Sequence, residues 1–397
     1  MKILYLVHRL PYPPNKGDKV RSYHLLKHLA ARHEVHLGSF LDDPDDEQHL
    51  PRVRELCAGS HIARLNPRSA KLLSLRGLLS GEALSLPYYR DAGLQAWVDE
   101  TAACVGFDAV VVFSGVMAQY TRGLKGVKTL VDFVDVDSAK WRDYAPEHAW
   151  PMSWLYRREF AKLLGFEQRV ADGAACSFFV TDNEVALFRE LSPGQDLRLA
   201  ALGNGVDADF FTPDPSRASP FAADELALVF TGAMDYWPNV DAVTWFASDI
   251  LPALRERFPA LRFHIVGRSP APAVQALAGE HVNVTGTVPD VRPYLQHAAA
   301  VVAPLRLARG IQNKVLEAMA MARPVVAAGS CVRAITASAQ AGLQPAEDVA
   351  AYVDRLSALL ADRAAADAAG RSARSFVLGA YSWEAHLAGL DHHLEAA

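Results

Sequence analysis

The 397-residue chain predicts an α/β protein made of two doubly wound parallel sheets in tandem. Three observations carry that expectation. Short continuous apolar runs, the mark of strands buried on both faces, alternate with amphipathic helical patterns along the chain. The alternation breaks over residues 207–224, where Pro213, Pro215 and Pro220 stand among Asp, Ser and Ala, and then restarts. The length suits two ordinary domains, each able to bury its own core. Such sheets take ligands outside the C-terminal ends of their strands, so the loops that follow strands matter most for function.

In order, residues 1–8 read as an opening strand and 11–18 as a loop rich in Pro and Gly. A helix is expected over 20–31 and a strand over 35–40. The acidic run 42–47 reads as a solvated loop and helix start. Strands are expected at 62–65, 109–113, 128–133, 174–181 and 197–202. The stretch 141–171 is aromatic, basic on one side and expected to be helical, shaping an acceptor surface. Beyond the break, strands are expected at 226–231, 262–266, 282–285, 299–303 and 324–328, with helices between them. An Ala-rich helical region covers 346–377, and a last helix 383–394. The expected domains are 1–206, a linker 207–224, 225–375, and a C-terminal helix 376–397.

Composition is that of a globular protein, 51% hydrophobic and 21% charged, and the net charge of −5 gives no general attraction for nucleic acid. The first 180 residues are slightly basic and the remainder acidic, so the first half is the one expected to meet an anionic surface. After Lys2 only five apolar residues precede His8 and Arg9, too few for a signal-peptide core, and no apolar run has the length of a membrane span. Cys57, Cys104, Cys176 and Cys331 form no C-x-x-C pair and read as free thiols. The expected location is the cytoplasm.

The segment 304–320 reads as a ligand-binding turn. An apolar run, 298–303, supplies a buried strand; a loop with Gly310 follows, and a helical pattern begins near Gln312. Glycine lets backbone amides approach a ligand, and the free N–H groups of a helix start favour an anion. Lys314 falls in that first turn, where a cation opposes the helix dipole unless something negative binds nearby. Glu317, three residues on, shares its face. Amides and Lys314 for phosphate, and Glu317 for a vicinal diol, suit a phosphorylated ribose. Spacing alone equally describes an ordinary strand–loop–helix crossover with a solvated Lys and Glu.

Several motifs in order resemble the retaining glycosyltransferases of family 4. They are Lys16-Gly17-Asp18, Asn204-Gly205-Val206-Asp207 with Phe211 and Pro213, Val266-Gly267-Arg268, Val284-Thr285-Gly286-Thr287-Val288, the segment from Gly310 to Ala320, and Tyr381-Ser382-Trp383. The run from Asp132 to Trp141 is similar to the sugar transferases of exopolysaccharide-export (PEP-CTERM/exosortase-associated) gene clusters. The resemblance implies the GT-B fold: two Rossmann-like domains facing across a cleft, with the C-terminal helix crossing back to the first. It also implies transfer of a sugar from a nucleotide-sugar donor to a hydroxyl acceptor with retained configuration. The donor would meet Gly17, Gly232, Arg268, Val288, Arg309, Gly310, Ile311, Gln312, Asn313, Lys314 and Glu317. Amides and Lys314 would face the diphosphate, Arg268 would add a further phosphate cation, Glu317 would take the ribose hydroxyls, and Val288 would lie by the base.

Two departures from the family pattern stand out. The E-x7-E signature, counted back from Glu317, falls on Arg309, where the carboxylate that usually meets the donor sugar is missing. Arg309 reads either as a phosphate ligand or as a solvated loop residue. The stretch from Gly232 to Asn239 also lacks the Arg and Lys that relatives place on the diphosphate, leaving Arg268 and Lys314 to compensate most of its charge.

On the first-domain side Asp135 occupies the position best matched to the family's catalytic polar group, with Asp132 and Asp137 near it and Ser114 in reserve. A carboxylate there accepts the acceptor's proton or steadies an oxocarbenium-like transition state; the structural alternative is a helix N-cap. Asp135-Val136-Asp137 also spells D-x-D, a metal signature of another nucleotide-sugar fold, but no metal or other cofactor is expected. His24 and His28, four apart, lack the Glu of H-E-x-x-H. Arg64, Arg68, Lys71 and Arg76 line an apolar stretch with Leu72, Leu73, Leu75, Leu78 and Leu79, which reads either as a docked surface helix or as a segment lying on the cytoplasmic face of the inner membrane. The acceptor would then be a lipid-linked or growing polysaccharide. Rival readings are a non-catalytic nucleotide-sugar scaffold and a nucleotide-sugar epimerase.

Overall fold

Val, Ile, Leu and Phe runs with no polar alternation can only be buried on both faces, and they form two wholly parallel sheets. The computed structural model describes residues 1–14, 17–306, 311–335 and 342–395. It divides into two compact units, Met1–Gly203 with His386–Ala397, and Asn204–Ala385.

In the first unit the strands are β1 (Lys2–Val7), β2 (Glu34–Leu41), β3 (Gly59–Arg64), β4 (Ala109–Phe113), β5 (Lys128–Val134), β6 (Cys176–Phe179) and β7 (Leu199–Ala201). Their order across the sheet is β3-β2-β1-β4-β5-β6-β7. From β1 the chain builds outward through β2 and β3, then returns to lay β4 on the other side of β1. The sheet therefore reverses direction between β1 and β4, and a crevice opens there at the strands' C-terminal ends.

The stretch expected to be helical over 141–171 holds two helices. A helix Asp137–Tyr144 passes into a short turn, Ala145–Glu147, and a second helix runs Met152–Gly173. Pro146 and Pro151 explain the break, because proline removes a donor and turns the preceding residue away from helical geometry. The last helix residues are fastened to this unit. His28 Nε2 lies 2.8 Å from one Asp391 oxygen, Arg32 Nη1 donates to the other at 2.5 Å, and Lys128 Nζ donates to the Leu394 carbonyl at 3.1 Å.

The second unit holds β8 (Leu226–Thr231), β9 (Leu261–Val266), β10 (Val282–Gly286), β11 (Ala300–Ala303), β12 (Val325–Ala328) and β13 (Leu343–Ala346), in the order β10-β9-β8-β11-β12-β13. Its reversal falls between β8 and β11. The region 346–377, expected to be continuously helical, begins at the end of β13 and continues as two helices, Val349–Ala361 and Arg363–Ala380. Asp348 and Asp362 cap their starts, accepting from Ala351 N at 2.8 Å and Ala365 N at 2.9 Å.

The Pro-rich segment 207–224 packs on this second unit. Asp214 and Gln296 exchange two hydrogen bonds of 2.9 and 2.7 Å, and Arg374 donates to Phe211 O and Thr212 Oγ1, each at 3.0 Å.

Candidate active site

In the second unit the residues at the reversal are glycines and a lysine. Gly232 follows β8 and Gly267 follows β9. A Cβ on Gly267 would stand 1.6 Å from the Gly232 carbonyl oxygen, so these two strand ends approach as only glycine permits. A Cβ on Gly232 would lie 2.8 Å from Asn239 Nδ2 and 3.0 Å from Lys314 Nζ. That space belongs to a polar pair. Lys314 Nζ donates to Asn239 Oδ1 at 2.6 Å, while Asn239 Nδ2 donates to Ala233 O at 2.8 Å and so fixes the amide's orientation. The ammonium also lies 4.0 Å from the centroid of the buried Phe230 ring.

The helix carrying Lys314 runs Asn313–Ala320, and Gln312 precedes it without a side-chain cap. Among the described residues no side-chain cap closes the start of this helix. Burial pushes Lys314 down to about 7, against the upward pull of Glu317 one turn on. Burial likewise pushes Glu317 up to about 7, against Lys314. Burial thus shifts each group toward its neutral form, and a bound anion would favour the charged Lys314.

The other expected donor residues spread outward from this pair. Arg268 is exposed and forms no ion pair among the described residues. Ile311 and Val288 are half-buried against the second unit's core. Arg309 and Gly310 lie outside the described residues, as does Lys16. Asn239 is a member that the sequence reading missed. It is buried and 75 residues from Lys314, and no local spacing relates the two.

In the first unit the reversal between β1 and β4 brings His8 beside Phe113 and Ser114. The His8 ring stacks on Phe113 at 5.8 Å, its Nε2 is 3.4 Å from Asp18 Oδ2, and its buried Nδ1 has no hydrogen-bond partner among the described residues. Arg9 pairs with Asp18 and Asp42, each at 2.8 Å. Although burial pushes the other way, His8 and Arg9 hold the Asp18 carboxyl well below the usual carboxylate range. Gly17, expected to allow close ligand approach, begins the helix Gly17–Ala30, and a Cβ there would meet nothing within 4 Å. No packing demand accounts for that glycine. His8, absent from the sequence candidates, had one legible signal: it ends the apolar opening run.

The three aspartates separate. Asp132 is buried within the first unit. It is 1% exposed and accepts from Arg21 at both oxygens, 2.7 and 3.0 Å, and from Val134 N at 3.2 Å. Its carboxylate is engaged by Arg21 and by the strand end. The physical cause is local: β5 shifts register against β6 between Asp132 and Val134, and Val134 takes a φ of +69°.

Asp135 and Asp137 are half-buried and share one cation, Lys140 Nζ, at 3.0 and 2.8 Å. An ammonium thus occupies the place between the two carboxylates of the D-x-D sequence, and among the described residues no three His, Cys, Asp or Glu side chains gather as a metal would need. Although burial works against it, Asp137 and Asp135 hold Lys140 above the usual lysine range. Asp137 is not an N-cap; it is the helix's first residue, and Val136 before it makes no capping bond. Instead Glu167 anchors the turn, accepting from Ser138 N at 3.2 Å and Ser138 Oγ at 2.5 Å.

Residues 225–362 match the family described as glycosyl transferases group 1. No curated protein sequence matches the chain. Among solved structures, Anabaena HepE in complex with UDP is similar over 100% of both chains, at 16% identity and a TM-score of 0.67. The same protein with UDP-glucose scores 0.66 at 15% identity, again over 100% of both chains. The sucrose-phosphate synthase of Thermosynechococcus elongatus scores 0.67 at 17% identity, over 99% of this chain and 98% of that one. The fold is GT-B, two Rossmann-like parallel-sheet domains. The family match lies within the second unit, and the likeness to these structures is one of fold.

Proposed function

We propose that the chain is a retaining glycosyltransferase that moves a sugar from a nucleoside diphosphate to a hydroxyl of a lipid-linked or growing polysaccharide, in exopolysaccharide or cell-envelope glycan synthesis. The observation that carries the donor side is the half-buried Lys314 ammonium at the β8/β11 reversal, fixed by Asn239 and Phe230 and, among the described residues, without an ion pair. A departing diphosphate supplies the opposite charge, and a preorganised cation aimed at developing negative charge is the strongest device available to such a site.

The uncapped amides from Asn313 would bind the same phosphates, Arg268 would close over them, and Glu317 would accept from the ribose hydroxyls. On the acceptor side Asp135, half-buried just after β5, receives the acceptor's proton, while Asp132 acts only by holding Arg21 and the strand end in place. The chemistry needs no metal in this reading, since Lys314 and the helix start stabilise the leaving group. HepE, whose fold this chain shares, is described in complex with UDP and with UDP-glucose, which makes uridine diphosphate sugars the first donors to try.

A thermal-shift screen of nucleoside diphosphate sugars tests the donor assignment, because a ligand that binds only the folded state raises the melting temperature. One or more should stabilise the protein in excess EDTA. NMR of the product formed with an α-linked donor should then show an α-linkage. No stabilisation by any nucleotide sugar would remove the donor assignment, and an inverted product would remove retention.

A further inference from the structure

Five leucines crowd into residues 72–79 of the first unit, and all are exposed. Leu79 is 93% accessible and Leu72 71%, with Leu73, Leu75 and Leu78 between 40% and 48%. Single exposed leucines need no explanation, but a contiguous set does. The local cause is plain. In the helix Pro67–Ser74, Ala70 and Ser74 are the buried residues, one turn apart, so the packed face is small and polar-edged. Arg68, Leu72 and Leu75 fall on the opposite side, at helical spacing from one another. The next helix, Arg76–Ser80, buries only Gly77 and leaves Leu78 and Leu79 outside.

A second exposed group adjoins this one. Trp150 is 80% exposed and Trp154 54%, with Met152 between them at the start of the helix Met152–Gly173. One turn beyond Trp154, Arg158 donates to the carbonyls of Gly77 at 2.6 Å and Glu82 at 3.0 Å, and Glu159 accepts from Leu84 N at 2.6 Å. Those bonds fasten the tryptophan-bearing helix directly against the leucine-bearing segment.

Charge sets the character of the patch. Residues 66–81 contain no Asp or Glu. Arg68, Lys71, Arg76, Arg157 and Lys162 are exposed, and none forms an ion pair among the described residues. The neighbouring carboxylates are already taken: Glu82 by Arg90, at 3.1 Å, and Glu159 by Arg158, at 2.5 Å. A second copy seated on this face would set unpaired cations against unpaired cations, which disfavours self-association. An anionic, apolar-cored partner satisfies both features.

We propose that this face of the first unit is a docking surface for an anionic lipid bilayer. The leucines and the two tryptophans enter the headgroup region, and the five cations meet lipid phosphates. Tryptophan suits that depth because its ring is apolar and its N–H stays hydrated. The inference is independent of the donor site, and its test needs no donor.

The full chain should float with phosphatidylcholine vesicles that contain phosphatidylglycerol and not with phosphatidylcholine alone, and raised salt should release it. Leu72→Ser with Leu79→Ser should lower the partition coefficient tenfold or more, as expected for about two leucines' worth of lost apolar burial. Arg68→Glu with Lys71→Glu and Arg76→Glu should lower it on the order of 100-fold. Because these side chains are exposed, each variant should keep the wild-type melting temperature. Trp150→Phe with Trp154→Phe should remove the fluorescence blue shift that vesicles induce in the wild type. Wild-type protein that stays with the soluble fraction, or leucine and charge variants that float as well as wild type, would overturn the proposal. So would a wild-type dimer in light scattering that the leucine variants convert to monomer, which would give the face to a second copy.

Discussion

The two sheets reverse direction in the same way and use the reversal differently. At the β1/β4 reversal of the first unit the charges satisfy one another: Arg9 sits between Asp18 and Asp42, and Asp18 also meets His8. Beneath them Arg21 and Asp132 form a two-point pair with side chains 3% and 1% exposed. At the β8/β11 reversal of the second unit the balance is deliberately short. Lys314 has a neutral amide and an aromatic face for partners, and its carboxylate neighbour Glu317 is itself pushed toward neutrality. A closed set of charges fixes backbone. An open one waits for a ligand, and the depressed Lys314 marks how much it lacks.

The largest expected effect tests the closed set. Asp132→Asn removes the charge that compensates a buried guanidinium, and breaking such a pair costs about 3–5 kcal/mol. Denaturant melts should show the first unit losing that much while nucleotide binding to the second is kept. A loss below about 1 kcal/mol would mean that Asp132 is not the support described here.

Lys314→Ala tests the open set. Removing a group aimed at leaving-group charge should lower turnover roughly 100-fold or more. Stability should move the other way. A lysine depressed to about 7 disfavours the folded state fully below pH 7, and that cost fades as pH rises toward the unfolded value. Lys314→Met should therefore melt higher than wild type at pH 6 and about level with it at pH 10. Turnover and donor affinity both near normal in Lys314→Ala would end the phosphate assignment.

Much of this contrast was legible in the sequence, and the reason is range. Unbroken Val and Leu runs announce parallel strands wherever they occur, so both sheets and their loops could be read directly. Lys314 and Glu317 lie three apart on one helix, and the pair is visible from spacing alone. Asn239 and Arg21 were not visible as partners, because they meet Lys314 and Asp132 from 75 and 111 residues away. Asp132 and Asp135 look equivalent as letters. A register shift at Phe133 is what buries one fully and leaves the other half-buried. The division of the helical stretch 141–171 into two helices follows from Pro146 and Pro151, which are local signals.

A smaller effect is expected at Glu167, which anchors the turn carrying Asp135 and Asp137. Burial pushes its carboxyl up to about 8, with Asp137 adding to the shift and Ser138 opposing it. The folded state holds the proton between about pH 4.5 and 8 while the unfolded state does not, so wild-type stability falls as pH rises through that window. Glu167→Gln keeps an acceptor for Ser138 and has no proton to lose. Its melting temperature should match wild type near pH 5 and exceed it at pH 9. Equal melting at both pH values would show that Glu167 is ionised in the native state.

The smallest effect is the most specific to the open set. A diphosphate binds best to charged Lys314, and in the free protein that charge is half lost near pH 7. Above this value each binding event must take up a proton, so affinity for UDP, or for whichever nucleoside diphosphate the thermal screen selects, should fall as pH rises. The slope should approach tenfold per unit between pH 7.5 and 9, which is about 1.4 kcal/mol per unit. Calorimetry in buffers of different ionisation enthalpy should register the same proton uptake. Lys314→Arg keeps the charge across the whole range, because a guanidinium does not titrate there. It should flatten the profile even where its different geometry weakens binding. A wild-type affinity independent of pH from 6 to 9 would mean that the ammonium is fully charged before the ligand arrives, and the second reversal would then be as well compensated as the first.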